Sequence, residues 1–311
     1  MLLPTFRQIR QFLIDEFFLS SRKSFMRKYI YCILIFTTSL GAQNKRFTYE
    51  YSAVSDSTNK DDVQKELLVL DVNKNGSIFY SLEKFKSDSI QYDELQKQAN
   101  SDAEIINVKS TYKGKILYTI SKNYPGFETF LHTALANDRY KVTDERKQVW
   151  KILPEKQKIG EFETQKAETN SFGRKWVAWF AADLPIQDGP YKFHGLPGLI
   201  IKIEDQTKSH SFDLKGISDY VDNRKLEIDE ERNVEKEIAI DYSKYKKLAL
   251  EQFNDPSKSL REMMNRAGQN FKIFGPDGRE MKPAEVIKQR ELEAKEKHKK
   301  NNNPIELDLL Q

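Results

Sequence analysis

Glu66-Leu67-Leu68-Val69-Leu70-Asp71-Val72-Asn73-Lys74-Asn75-Gly76-Ser77-Ile78-Phe79-Tyr80-Ser81-Leu82 is the stretch that decides the fold class. Two apolar runs flank a polar turn, and Asn75-Gly76 tolerates the positive φ of a tight hairpin, so the runs are expected to pair antiparallel. Upstream, Phe47, Tyr49 and Tyr51 alternate with Thr48, Glu50 and Ser52, which sends the aromatics to one face of a first strand. Downstream, Lys115–Ser121 and Arg146–Leu153 read as further strands, while the polar Ser87–Ala99 reads as a short helix over the sheet or a loop. Arg174–Phe180 is aromatic and β-branched, and Leu199–Glu204 pairs across an Asp205–Lys208 turn with Ser209–Lys215. These hairpins predict an α+β, predominantly β fold: a large curved antiparallel sheet, a meander of hairpins, with C-terminal helices packed on it. No glycine-rich fingerprint follows a strand, which argues against a dinucleotide fold.

After about Ile217 the text becomes charged with helical spacing, so residues 43–216 are expected to form the β domain and 217–311 a mainly helical region. Asp255 is placed to cap a helix opening at Pro256, with Leu260, Met263, Met264 and Ala267 as its apolar stripe. From Pro283 a solvated helix is expected, with Glu291–Lys295 and Glu293–Lys297 pairs worth only tenths of a kcal/mol each, roughly. The run through Lys299-Lys300 and Asn301-Asn302-Asn303 is expected to end in disorder.

The N-terminal residues read as a leader. Met26-Arg27-Lys28 precedes an apolar run, Tyr29–Thr38, too short for a stable membrane anchor, and small residues at Ser39, Gly41 and Ala42 suit a signal peptidase. Residues 26–42 are therefore expected to be a cleaved signal peptide, residues 1–25 an over-extended start, and the product periplasmic or secreted without a transmembrane segment. Cys32, the single cysteine, leaves with the leader, so thiol nucleophiles, cysteine-ligated zinc and disulfides are all excluded from the mature chain. Residues 1–42 also hold six of the 51 basic side chains and two of the 47 acidic ones, leaving 45 against 45. That balance lacks the basic excess by which nucleic-acid binders neutralise phosphates, and none is expected as a partner.

One segment is unlike ordinary sheet text: Gly173-Arg174-Lys175-Trp176-Val177-Ala178-Trp179-Phe180-Ala181-Ala182-Asp183-Leu184-Pro185-Ile186-Gln187-Asp188-Gly189-Pro190-Tyr191-Lys192-Phe193-His194-Gly195-Leu196-Pro197-Gly198-Leu199-Ile200. Physically it is a strand, a stiff Pro/Gly loop and a second strand. It resembles the signature of the GLPGLI (Porph_ging-type) family of exported Bacteroidota envelope proteins, named after the hexapeptide Gly195–Ile200. Trp150-Lys151-Ile152, Gln165-Lys166-Ala167 and the closing Asn303-Pro304-Ile305-Glu306-Leu307 are similar to that family too. The resemblance implies export and a β-rich fold, and brings no established activity.

Two roles suit the loop. As a core crossover it packs Trp176, Trp179, Phe180, Tyr191 and Phe193; as a rim it presents Arg174, Trp176, Trp179, Asp183, Asp188, Tyr191 and His194 to a ligand. His132, His194, His210 and His298 lack metal-ligand spacing, no nucleophile elbow occurs, and no cofactor is expected. The expectation is a non-enzymatic binding or carrier module for an apolar small molecule or an envelope protein, with no catalytic or metal residues assigned. The alternatives are a hydrolase acting near the Asp183–His194 loop and a structural partner of an outer-membrane complex.

Overall fold

The computed structural model describes residues 44–99, 112, 114–220, 237–268, 272–274 and 278–310; the expected leader lies outside them. Twelve strands form one sheet: β1 (Lys45–Val54), β2 (Val63–Asn73), β3 (Gly76–Ser81), β4 (Thr119–Asn123), β5 (Glu128–Leu135), β6 (Asp138–Asp144), β7 (Lys151–Ile159), β8 (Phe162–Ser171), β9 (Arg174–Ala181), β10 (Leu199–Asp205), β11 (His210–Asp219) and β12 (Ile238–Asp241). Their order is β12-β6-β5-β4-β3-β2-β1-β11-β10-β9-β8-β7. The fold is α+β and predominantly β, and every strand pair is antiparallel except β12 with β6.

Two meanders meet at β1. The first runs outward from β1 to β6; the second starts at the opposite edge with β7 and returns to set β11 against β1. Ten interstrand steps separate β6 from β7, roughly 48 Å across a flat sheet, yet the connection from Asp144 to Lys151 spans at most about 25 Å. The sheet must therefore curl until its edges approach each other. Register shifts at Thr48/Tyr49, Ile152/Lys156 and Ile200/Lys202 supply local bends.

The β2–β3 hairpin forms where the sequence places it, for a different reason. Neither Asn75 nor Gly76 takes a positive φ. Asn73 instead accepts from the N–H groups of Asn75 (2.8 Å) and Gly76 (3.1 Å), closing the turn with its side chain. Gly76 is needed because β4 lies on it: a Cβ there would stand 2.1 Å from the Lys122 carbonyl oxygen.

The inner face carries Phe47, Tyr49 and Tyr51 of β1, Leu68 and Leu70 of β2, Phe79 of β3, Trp176, Ala178 and Phe180 of β9, and Phe212 of β11, all buried. The opposite face carries ion pairs such as Lys65–Glu50 and Lys202–Glu204. Helix α1 (Leu82–Ala99) packs against β2 and β3, with Phe85 on Tyr80 at 5.5 Å, so the polar stretch after Ser87 is helix. Helix α2 (Tyr242–Asn254), capped by Asp241, packs on β6 and β12; α3 (Lys258–Ala267), the short pair β13 (Ile273–Phe274) and β14 (Glu280–Met281), and α4 (Pro283–Lys300) follow. No helix among the described residues is long and apolar enough to cross a membrane.

Several local expectations are corrected. Lys115 and Ile116 donate their N–H groups to Glu66 at 2.8 and 3.3 Å, so β4 begins only at Thr119. Arg146 spends its guanidinium on Asp144, Glu306 and Asp308, which holds residues 145–150 as a crossing rather than a strand. Asp255 ends α2, donating its N–H to the Glu251 carbonyl, and α3 opens after Ser257. Of the expected stripe Leu260 is buried, whereas Met263 is 42% exposed. The segment after Asn301 is ordered against the core, with Asn303 and Glu306 buried.

Gly76→Ala is expected to lower the unfolding free energy by about 1–3 kcal/mol in urea titrations, because backbone must shift to relieve the contact. Gly216→Ala, where a Cβ meets nothing within 4 Å, serves as the control and should change stability by less than about 0.5 kcal/mol.

Candidate functional site

The Pro/Gly loop after β9 runs inward and fills the curl. Leu199 donates its N–H to the Leu184 carbonyl (3.0 Å), Gly195 to Gln187 (2.9 Å) and Ile200 to Asp188 (3.2 Å), so the loop closes on its own ends. Gly198 permits this closure, since a Cβ there would lie 2.1 Å from the Ala181 carbonyl oxygen. Phe193 meets Trp176 edge-on at 4.8 Å and Phe172 at 5.4 Å, which makes the loop a plug of aromatic core.

Charged side chains lock the plug. Lys122, on β4 at the same inward parity as Ile120, is 1% exposed and bonds Asp188, which is fully buried. Its remaining protons go to the carbonyls of Gly189 (2.8 Å) and Phe193 (3.1 Å). Asp188 also accepts from the Ser77 hydroxyl (2.5 Å), the Tyr124 hydroxyl and the Gly189 N–H (2.7 Å). Burial pushes the Lys122 ammonium down, and Asp188 opposes that shift. Each donor and acceptor of the pair is used.

A second lock lies on Lys192, whose ammonium reaches Glu306 at 2.5 Å and Asp144 at 2.7 Å. Glu306 also receives Arg146 (3.0 Å) and the hydroxyls of Tyr191 and Tyr242. Burial alone would raise the Glu306 carboxyl, but Lys192 and Arg146 hold it below its ordinary value. A third joins Arg174 to Asp205 at 3.0 Å and to the strap, Asn303–Leu307.

The seven residues expected at a rim do not make one. Arg174, Trp176, Asp188 and Tyr191 are buried in the locks and the core; Asp183 is exposed on the turn after β9; Trp179 is half-buried on the outward face with Lys175 and Val177. His194 stacks on Phe127 at 4.8 Å with rings 4° apart, and burial together with the Lys122 charge pushes it down to about 4. It is neutral at pH 7, and the structure pairs its ring with neither Asp183 nor Asp188. Sequence reasoning missed Lys122, Asp144, Lys192, Asp205 and Glu306. Inward strand parity marks Lys122, and the closing pentapeptide marks Glu306.

Two of the clefts on the surface of the described residues differ in their walls: the first is walled about equally by polar and apolar atoms, the second mostly by apolar ones. The first, of about 510 Å³, lies between Arg146–Gln148, Asn170–Lys175 and Asp308; the second, of about 660 Å³, runs along α2 past Lys246, Lys247 and Leu250. Neither is an enclosed apolar chamber.

Residues 173–202, β9 through the plug into β10, match the family described as "Protein of unknown function (Porph_ging)". The resemblance drawn from Gly195–Ile200 is met over that Porph_ging segment. No curated protein matches the chain. Among solved structures it is similar to "Structure of PNGF-II in P21 space group" at 17% identity and TM-score 0.44, covering 67% of this chain and 33% of that one. The C2 crystal form is similar at 17% identity and TM-score 0.43, covering 67% and 32%. The chain thus spans about a third of the length of the solved structures it matches.

Asp188→Ala is expected to cost about 3–5 kcal/mol in urea unfolding, since it strands the Lys122 ammonium. Adding Lys122→Met should recover part of that loss, which a merely additive pair would not do. His210, buried beside Arg174, is also pushed down to about 4. With an unfolded value near 6.5, the unfolded state binds more protons between these limits. The urea midpoint should therefore be highest above about pH 6.5 and fall as pH drops toward 4; in His210→Gln that fall should be shallower.

Proposed function

We propose that this protein is an exported, non-enzymatic module of the cell envelope, periplasmic or secreted, that binds a partner protein. The observation that carries this reading is the filled curl. The loop that would have rimmed a ligand cavity occupies the interior, and the side chains able to do chemistry there, Lys122, Asp188, Arg174, Lys192 and Glu306, are buried and committed to one another. Neither of the clefts described above encloses an apolar small molecule, and the His194 ring bonds neither Asp183 nor Asp188, the carboxylates that hydrolysis at that loop would draw on. The leader-like residues 26–42 support export.

What remains available to a partner is surface. Val149 is 79% exposed and Ile152 47%, beside half-buried Trp150, whose indole N–H donates to the His194 carbonyl at 2.8 Å. This apolar patch is thereby fixed to the plug, and rigid aromatic anchors of that kind carry binding energy.

In cells producing the full chain, the mature N-terminus is expected at Gln43 in the envelope or medium. Site-directed crosslinking from position 151, exposed between Val149 and Ile152, should give a discrete adduct with one envelope protein. Val149→Asp with Ile152→Lys should abolish the adduct and leave the melting temperature within a few degrees. An adduct that persists in the double variant, or a chain retained in the cytoplasm, contradicts the reading.

A further inference from the structure

The strap is held in the way a ligand is held. Asn303 is read at each of its polar groups. Its N–H donates to the Ser55 carbonyl (3.0 Å) and its side-chain amide to Val54 (2.7 Å), while its side-chain oxygen accepts from Arg174 (2.6 Å). Its own carbonyl faces Nε2 of His210 at 3.0 Å. A carbonyl only accepts, so Nε2 carries the proton and Nδ1 accepts from the Tyr51 hydroxyl at 2.7 Å. Arg174 continues along the backbone to the carbonyls of Pro304 (2.5 Å) and Ile305 (3.1 Å). Pro304 has no N–H to leave unpaired. Glu306 then enters the cationic pocket of Lys192 and Arg146.

None of these bonds belongs to a strand ladder or a helix, so the groove selects side chains: an Asn, then a Pro, then a Glu two residues on. The arm that delivers the strap lies on the surface: helix α4 buries none of its residues and meets α2 and α3 through His298 on Phe253 and Glu291 with Arg261, while exposed Asn302 accepts from the Ser57 N–H at 2.8 Å. Its 18 residues span about 27 Å, enough to carry the strap to a neighbouring molecule.

We propose that this groove is a peptide-binding site selective for an extended Asn-Pro-X-Glu segment, filled in cis by the chain's own strap and able to take the strap of a second copy of this chain. The sequence the groove reads is present in that copy, and its tether is long and buries none of its own residues, so leaving α2 and α3 costs surface contacts alone. The site is separate from the Val149–Ile152 patch and does not depend on it.

The test uses the full chain with a protease-recognition sequence inserted between Asn301 and Asn302. The folded protein is cut, and a fluorescent peptide spanning residues 302–311 is titrated in. The parent peptide should exchange into the cut protein, with Glu306→Gln and Asn303→Ala peptides at least about 30-fold weaker, the factor expected when a buried charge or hydrogen-bonding group loses its partner. Native mass spectrometry of cut and intact chains together should show a one-to-one complex that free parent peptide dissociates. Absence of exchange, equal binding of the substituted peptides, loss of fold once the strap leaves, or exchange without any complex between cut and intact chains would each overturn the proposal.

Discussion

Three cationic side chains point into the closed side of the curled sheet, and the rest of the structure depends on their neutralisation. Lys122 projects from β4, Arg174 from β9 and Lys192 from the plug, and all three are buried. An unpaired ion in such a place costs several kcal/mol, a large fraction of the stability of an ordinary domain. The carboxylates that answer them lie on different parts of the chain. Asp205 ends β10 and Asp144 ends β6, while Asp188 and Glu306 sit on stretches without regular secondary structure. Satisfying the charges therefore fixes the two irregular segments, plug and strap, as firmly as strand pairing fixes the sheet.

Apolar burial drives the collapse but does not by itself choose a register. Tyr51 and Phe212 stack at 4.5 Å, and Phe172, Trp176, Tyr191 and Phe193 form a cluster of tilted and edge-on rings. Aromatic contacts of this kind tolerate small slides, because the hydrophobic effect is non-directional. A lysine with three carbonyl or carboxylate partners does not. Moving the plug by one residue would remove Asp188 from Lys122 and leave both without a partner. The division of labour is between area, which the aromatics supply, and position, which the ion pairs set.

Much of the sheet was legible because it is written in local code. Period-two alternation located β1, apolar runs located β2 and β3, aromatic and β-branched text located β9, and turn chemistry paired β10 with β11, although at Gly76 the constraint is a neighbouring backbone rather than a positive φ. Reading failed where a residue's role is set by something distant in sequence. Arg146 and Lys115 look like strand text until Glu306 and Glu66 claim their polar groups. Asn303 ends a charged run that reads as the start of disorder, yet the groove that orders it and Glu306 is assembled from β1, β9, β11 and the plug. The hexapeptide announced itself by composition, but composition does not say on which side of a sheet a stiff loop will lie.

That side is decided by the curl. A sheet whose edges are drawn together by a seven-step connection encloses a volume, and the volume must be filled by something the chain itself brings or by a guest. Here Phe193, Tyr191 and Leu196 of the plug are buried within it, and the strap closes the end where Arg174 lies. The polar groups enclosed with that filling, Lys122, Asp188, Lys192 and Glu306, bond to one another and hold the plug and strap in place. The outer face is a lattice of exposed pairs, Lys65 and Lys215 on Glu50, Lys202 on Glu204 and Asp213, each worth at most about 1 kcal/mol. Such a face is well solvated and offers little to a partner. The charge lattice stops at the start of β7, where Val149 and Ile152 are exposed beside Trp150.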